Sequence, residues 1–162
     1  MNHLTRKARS VVVLLAAMSM LLVVPIGAAG ALEPNVEGLS VGVDECEGDS
    51  GIFTLALEGS LEGCLYTDVV TEEKFGNGVF MDRGFETFVG CWDSPDGELC
   101  GTLSTSYVYT ATFAPDGTQL TGGCTHPILS GTGDFAGASG ILVFRDDVEA
   151  GTAEYRGVIN LP

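Results

Sequence analysis

Positive charge is scarce in this sequence. It holds 7 Lys and Arg against 22 Asp and Glu, a formal net charge of −15 at pH 7, and three of the basic residues, Arg6, Lys7 and Arg9, lie at the start of the chain. Nucleic acids and anionic membranes are bound by clustered Lys and Arg, so we expect no nucleic-acid partner. The acidity is typical of a solvated, soluble surface. A cationic ligand, divalent ions or a salty habitat are the alternatives.

Long helix-forming segments are also missing after residue 32, where Gly, Thr, Val and aromatic residues are plentiful instead. Short apolar or alternating segments recur between Gly, Asp and Pro at a spacing of about ten residues, which predicts the strands of a sandwich or barrel. The candidate strands are Ser40–Val43, Ile52–Glu58, Cys64–Val70, Gly78–Met81, Phe85–Trp92, Leu99–Phe113, Thr118–His126, Gly140–Arg145 and Glu154–Leu161.

Alternation within these strands predicts which side chains face inward. From Leu103 to Phe113 the odd positions carry mostly large apolar or aromatic groups, and the even positions carry mostly Ser and Thr. In the last strand Tyr155 shares a face with Ile159. Long strands with one apolar and one polar face fit a closed antiparallel sheet. We therefore predict an all-β fold, a single antiparallel barrel.

The only long apolar segment lies at the N-terminus, from Val11 to Val24, behind the three basic residues and ahead of Pro25. A basic start, an apolar segment and a small-residue site are typical of a secretory signal peptide, here residues 1–31 with cleavage after about Ala31. The barrel domain is then 32–162, and we expect a secreted, extracellular protein. The alternative is a retained N-terminal membrane anchor, because the uncharged stretch is about long enough to span a bilayer.

Four glycines lie within the stretch ILSGTGDFAGASGILVF, residues 128–144. Their spacing is one residue longer than the dinucleotide-binding pattern, no P-loop Lys is present, and Asp134 adds negative charge where phosphate oxygens would bind. These features favour a tight structural turn over a phosphate site. The residues predicted to shape the turn are Gly131, Gly133, Gly137 and the inward-pointing Phe135.

The same stretch carries a family resemblance. The phrase SGTGDFAGASG, the apolar strand ILVF, an Asp pair and the closing YRGVINL resemble the C-terminal part of the allene oxide cyclase and dirigent-like β-barrels and their bacterial secreted relatives, from Thr125 to Leu161. The resemblance implies an eight-stranded antiparallel barrel whose apolar cavity holds a small hydrophobic molecule. In enzymes of this class, shape steers cyclisation or coupling. No catalytic residue of those enzymes carries over to this chain.

Five cysteines follow the predicted signal peptide, in a compartment where disulfides form and persist. An odd number leaves one thiol free, and we predict the pairs Cys91–Cys100 and Cys46–Cys64 with Cys124 unpaired. The first pair brackets the SPDG turn at Ser94–Gly97. A two-residue loop there places the two cysteines opposite each other, whereas a bulge at Gly97 would point them to opposite faces.

Polar groups on predicted inner faces are the candidates for a site. His126 shares a face with Leu120 and Cys124; a packing role is favoured, with general acid or base catalysis as the alternative. Glu86 is expected to point outward, with a place in the cavity as the alternative. A zinc site needs several Cys and His residues at ligand spacing, and CTH at Cys124–His126 is the only candidate in the sequence. We therefore predict no metal site, and we also predict no cofactor. The cavity candidates are Tyr107, Tyr109, His126, Phe113, Tyr155 and Glu86.

Three functions fit these observations. The favoured one is a barrel that binds a small apolar ligand or is purely structural. The first alternative is a cyclase or isomerase that acts on a hydrophobic substrate in the same cavity. The second is an extracellular interaction module that uses its acidic surface, to which the segment DECEGD, Asp44–Asp49, contributes as a solvated turn. No reactive constellation of residues decides among the three.

Overall fold

The computed structural model describes residues 33–42, 46 and 53–162. Within them the chain forms eight strands and no helix: β1 Val36–Gly42, β2 Phe53–Gly59, β3 Leu61–Lys74, β4 Val79–Ser94, β5 Gly97–Phe113, β6 Gln119–Gly133, β7 Ser139–Asp147 and β8 Thr152–Asn160. These residues therefore contain no helix that could cross a membrane. The predicted signal peptide, and the acidic segment Asp44–Asp49 apart from Cys46, lie outside the described residues.

The strands form one closed barrel. Each strand pairs antiparallel with the next, and β8 pairs with β1, where Val36 lies opposite Gly157 and Val41 opposite Thr152. Closure leaves no strand edge free to pair with another chain. The predicted all-β, eight-stranded antiparallel barrel is confirmed.

Two predicted segments turn out to be one strand. Gly78–Met81 and Phe85–Trp92 both belong mostly to β4, which continues through Asp82 and Arg83 without a break. The polar pair resembles a turn in the sequence, but its backbone stays paired with β3 and β5 on either side. As a result Asp82 occupies an inward position within a strand and not a connection.

The SPDG turn has the two-residue loop that a disulfide requires. Ser94 pairs with Gly97, and Cys91 pairs with Cys100 at a Cα–Cα distance of 4.1 Å, close to the separation of a non-hydrogen-bonded antiparallel pair. Both predicted disulfides are present, since Cys46 is bonded to Cys64, and Cys124 is the free cysteine. Disulfides of this kind are typical of an oxidising compartment.

A β-bulge in β6 corrects the predicted inner face of that strand. Thr112 pairs with Thr121 and Phe113 with Gln119, so Leu120 is an extra residue in the ladder. Leu120 is 57% exposed, and the prediction that it shares the inward face of Cys124 and His126 is wrong. Gln119 faces the interior instead, which brings an amide into the barrel where the sequence predicts an alkyl group.

The apolar core fills one end of the barrel, called here the plugged end. The connections β2–β3, β4–β5 and β6–β7 lie at this end, and the core includes Leu61, Leu65, Phe88, Leu103 and Phe135, each at most 1% exposed. The glycine-rich stretch is the β6–β7 connection. A Cβ at Gly131 would collide with the carbonyl oxygen of Phe135, and Gly133 has a φ of +63°. These glycines let the chain fold tightly enough for Phe135 to enter the core.

Candidate ligand-binding cavity

A cavity of about 470 Å³ lies at the opposite end of the barrel, called here the cavity end. It is bordered by the end of β1, the start of β2 and the β7–β8 turn. Its apolar lining includes Phe53, Leu55, Phe144, Val148 and Ala153. Its polar lining includes Ser40, Asp82, Glu86, Tyr107, Tyr109, Gln119, Cys124, His126 and Asp146. A concave site with apolar walls and a few convergent polar groups is the usual form of a small-molecule site.

Four of the six cavity candidates line this cavity, namely Glu86, Tyr107, Tyr109 and His126. Phe113 and Tyr155 do not line it. Phe113 lies at the end of β5 and packs edge-on against Phe80, with ring centroids 6.4 Å apart. The Tyr155 side chain is part of the core, and its hydroxyl accepts a hydrogen bond from the Leu61 amide at 2.8 Å and donates to the Leu61 carbonyl.

Glu86 points inward and is 4% exposed, while its neighbour Phe85 is 53% exposed. The favoured expectation of an outward Glu86 is therefore wrong. Alternation along β4 buries every second residue through Gly84, Glu86 and Phe88, so Phe85 must face the outside of the barrel. The spacing of Glu86 from Phe88 carries this signal in the sequence.

A chain of polar contacts crosses the inner end of the cavity. Thr67 donates its hydroxyl proton to Glu86 Oε1 at 2.8 Å, Glu86 Oε2 lies 2.5 Å from His126 Nδ1, and His126 Nε2 lies 2.7 Å from Cys124 Sγ. Burial raises the pKa of the Cys124 thiol, and the charges of Glu86, Asp146 and Asp82 add to the rise, so the thiol keeps its proton. The tautomer that carries its proton on Nδ1 lets the ring donate to the Glu86 carboxylate while Nε2 accepts from the thiol.

A second group of contacts holds Asp146. Tyr109 donates its hydroxyl proton to Asp146 Oδ2 at 2.7 Å, and the Gln119 amide donates to the same oxygen at 2.6 Å. Burial raises the pKa of Tyr109, and its hydrogen bond to Asp146 adds to the rise. Gln119 reaches this position because of the bulge at Leu120. The Asp146 carboxylate therefore has two donors from the protein itself.

The Asp82 carboxylate receives fewer hydrogen bonds from the protein than the Asp146 carboxylate does. Its Oδ1 atom and the Tyr107 hydroxyl are shielded from solvent. The two groups interact with each other, but neither atom makes a hydrogen bond of standard geometry with a described residue. Burial raises the pKa of the Asp82 carboxyl; the Tyr107 hydroxyl opposes the rise, and Glu72 and Glu86 add to it. Burial also raises the pKa of Tyr107, and the Asp82 charge adds to that rise. The pair thus offers a carboxylate oxygen and a phenol at the cavity wall.

The cavity collects negative charge without a fixed positive partner. Asp82, Glu86, Asp146 and Asp147 line it, but none of the Lys and Arg residues in the described part of the chain does. Those residues are exposed on the barrel surface. Two of them pair with surface carboxylates, Lys74 with Glu72 at 2.9 Å and Arg83 with Glu73 at 3.3 Å. Among the described residues that line the cavity, His126 carries the only basic nitrogen. Lys74 lies near the cavity only indirectly, through Glu72, which is opposite Asp82 in the β3–β4 pairing.

A metal centre is not indicated. Among the described residues, the one set of three potential ligands whose atoms converge is Cys91, Glu98 and Cys100, and both sulfurs of that set are in a disulfide. The ligand atoms of the cavity carboxylates do not converge in this way. The Cys124 thiol and the His126 imidazole, the pair considered as metal ligands from the sequence, already contact each other through Sγ and Nε2.

Comparisons with known proteins leave the chain without an assigned family. No protein-family model matches it, and neither a curated protein nor a solved structure does. The resemblance to allene oxide cyclase and dirigent-like barrels accordingly stays a prediction.

The polar groups of the cavity that sequence reasoning missed include Ser40, Asp82, Gln119 and Asp146. Asp82 and Asp146 each stand beside a charged neighbour, in the pairs Asp82-Arg83 and Asp146-Asp147, which is a pattern typical of turns. The signal that could have found Asp82 is its even spacing from Glu86 and Phe88 along one strand. No comparable signal marks Gln119, because its direction depends on the bulge.

Proposed function

We propose that this protein is an exported binding protein that holds a small molecule with an apolar body in the cavity of its barrel. The observation that carries the proposal is the cavity itself, in which an apolar wall faces buried polar atoms that make no hydrogen bond of standard geometry with a described residue. Buried polar atoms without such bonds cost free energy in a purely structural barrel. A ligand that meets them would remove that cost.

Export is supported by the two disulfides and by the apolar segment behind a basic N-terminus. The allene oxide cyclase-like resemblance agrees with the same proposal, because barrels of that class hold small hydrophobic molecules. The acidic outer surface supports solubility and offers no specific partner chemistry.

The proposal is tested by filling the cavity. Ala153 lines the cavity from β8, whereas Ala150 is exposed in the neighbouring β7–β8 turn. We expect Ala153→Trp to weaken binding of the neutral apolar dye N-phenyl-1-naphthylamine by about tenfold or more, because an indole occupies the volume that the dye needs. Dye fluorescence measures the affinity.

Ala150→Trp is the matched control, since it adds the same indole outside the cavity, and we expect its dye affinity to equal that of the original protein. Both variants must show cooperative thermal unfolding; if Ala153→Trp does not fold, Leu55→Trp blocks the same wall. Equal dye binding by the cavity-filled variant, or no dye binding by the original protein, would contradict the proposal. Native mass spectrometry of protein from its own host would give the mass of a retained ligand.

A second candidate is an isomerase or cyclase, and the contact chain from Thr67 to Cys124 favours it. An imidazole held between a carboxylate and a thiol is of the residue type that serves as a general acid or base for a substrate in the cavity. His126→Gln separates the two functions. Lost turnover with retained ligand affinity would indicate catalysis, whereas unchanged turnover of any identified substrate would leave binding as the function.

A further inference from the structure

We infer that the ligand carries a protonated amine, which the carboxylate of Asp82 binds with the Tyr107 hydroxyl beside it. This inference rests on the proposed function and names the chemical class of its ligand: an organic cation with an apolar body. Neither the fold nor the family resemblance implies it, because both point to a neutral hydrophobic molecule.

The cavity carboxylates differ in how well the protein satisfies their hydrogen bonds. Asp146 accepts two hydrogen bonds, from Tyr109 and Gln119, and Glu86 is held by Thr67 and His126. Asp147 also lines the cavity, but it is exposed and its Oδ1 atom accepts a hydrogen bond from the Ala150 amide. Asp82 Oδ1 and the Tyr107 hydroxyl interact with each other, but neither atom makes a hydrogen bond of standard geometry with a described residue. Tyr107 is only 3% exposed and lines the cavity. The unused hydrogen-bonding capacity of the cavity is therefore concentrated at one carboxylate and one phenol.

The negative charge of the Asp82 carboxylate also favours a cationic ligand. A carboxylate that has one shielded oxygen, and no Lys or Arg among the other residues that line its cavity, is unfavourable unless a bound group supplies hydrogen bonds and positive charge. A protonated amine supplies both, since an N⁺–H···O⁻ bond is about twice as strong as a neutral one. A neutral alcohol can donate one hydrogen bond but leaves the charge uncompensated.

The side chains around Asp82 suit a cation with an apolar body. Aromatic rings of Tyr107, Tyr109 and Phe144 border the same cavity, and aromatic faces attract ammonium groups. Apolar side chains such as Leu55 and Val148 make room for a hydrocarbon body. A bare metal ion would instead need converging oxygen ligands, which the cavity carboxylates do not provide among the described residues.

The experiment compares two probes of nearly equal size and shape, 2-(2-naphthyl)ethylamine and 2-(2-naphthyl)ethanol, by displacement of N-phenyl-1-naphthylamine at pH 7. We expect the original protein to bind the amine at least about tenfold more tightly than the alcohol. Asp82→Asn should weaken amine binding by about tenfold or more and leave alcohol binding within about twofold.

Asp68→Asn is the matched control, because Asp68 is an exposed carboxylate of the neighbouring strand β3 and its removal changes the net charge equally. Its amine affinity should stay unchanged. Thermal unfolding shows whether each variant folds; should Asp82→Asn fail to fold, Tyr107→Phe replaces it, with an expected smaller loss of amine affinity.

The outcomes separate the inference from the proposed function. Equal binding of amine and alcohol, or an Asp82→Asn variant that binds both as before, would overturn the inference and leave a neutral-ligand barrel. Equal losses in Asp68→Asn and Asp82→Asn would assign the preference to the overall negative field and overturn it as well. No displacement of the dye by either probe, together with no effect of Ala153→Trp on dye binding, would overturn both proposals.

Discussion

Asp82 is a residue at which stability and binding oppose each other. Its carboxylate is partly buried at the cavity wall, and one of its oxygens accepts no hydrogen bond of standard geometry from a described residue. Such a group lowers the stability of the empty barrel, whereas in the inference drawn above it would give a cationic ligand its strongest contact. Residues that weaken the fold in return for a binding contact are expected at functional sites.

The pH dependence of stability tests this view. The pKa of Asp82 is raised by burial, so the folded protein binds its proton more tightly than the unfolded chain does. The stabilising contribution of that proton is complete below the unfolded value of about 3.9 and is lost as the pH rises through the raised pKa. Glu72, Glu86 and Tyr107 face the same carboxyl.

We therefore expect Asp82→Asn to be more stable than the original protein at pH 7, by up to about 1 kcal/mol because the carboxylate is only partly buried and is screened by solvent. The difference should shrink as the pH falls towards about 4. Thermal unfolding of the two proteins from pH 3.5 to 8 measures it. A difference that stays constant over this range would contradict the role given to the Asp82 charge.

At the scale of elements, the β6–β7 connection seals the plugged end. Phe135 is fully buried and packs edge-on against Phe88, with ring centroids 6.3 Å apart. Asp134 fixes the connection to the neighbouring hairpin, because its Oδ2 atom accepts a hydrogen bond from the Cys100 amide at 2.9 Å. The connection is thus a structural part of the core.

Phe135→Ala should lower the free energy of unfolding by about 3–5 kcal/mol, because it leaves a large void in the core. Denaturant unfolding with intact disulfides measures the change. Phe85→Ala is the matched control, since the same atoms are removed from a side chain that is 53% exposed, and its cost should be below about 1 kcal/mol. Similar losses in the two variants would contradict the role of Phe135 as the plug.

Individual elements show how far the sequence predicts this molecule. Turn chemistry at Ser94–Gly97 predicted a hairpin, because Pro, Asp and Gly restrict the backbone locally, but it left two registers open. The predicted Cys91–Cys100 disulfide required the two-residue loop, and the structure has that loop. The bulge at Leu120 left no comparable signal, since its position depends on pairing with β5. The cavity residues show the same difference. Alternation along the strand was enough to predict that Tyr107 and Tyr109 point inward, whereas the inward direction of Gln119 depends on the bulge.

At the scale of the whole molecule, negative charge dominates. The sequence carries a net charge of −15 at pH 7, and the two Lys and Arg ion pairs formed with described residues are exposed and contribute little to stability. Like charges spread over a compact barrel repel one another, and dissolved salt screens this repulsion over about 10 Å at 0.1 M.

We expect the thermal midpoint of the protein to rise between 10 and 500 mM NaCl. Most of the increase should come below about 150 mM, where the screening length falls most steeply with salt concentration. Differential scanning calorimetry at pH 7 measures it. Sucrose is the control, because it stabilises folded proteins by exclusion and not by screening. A midpoint that falls with NaCl would contradict net self-repulsion.

The plugged end has a kinetic consequence. Under the proposed function, a molecule held in the cavity cannot travel through the barrel, because Phe135 and the leucines around it fill the plugged end. Entry and departure therefore use the same end, and the part of the ligand that enters first must leave last. The rates of uptake and release should then respond together to a change at the opening. A bulkier side chain that narrows the opening without entering the cavity should slow both and leave the equilibrium affinity nearly unaltered, unlike Ala153→Trp, which fills the cavity.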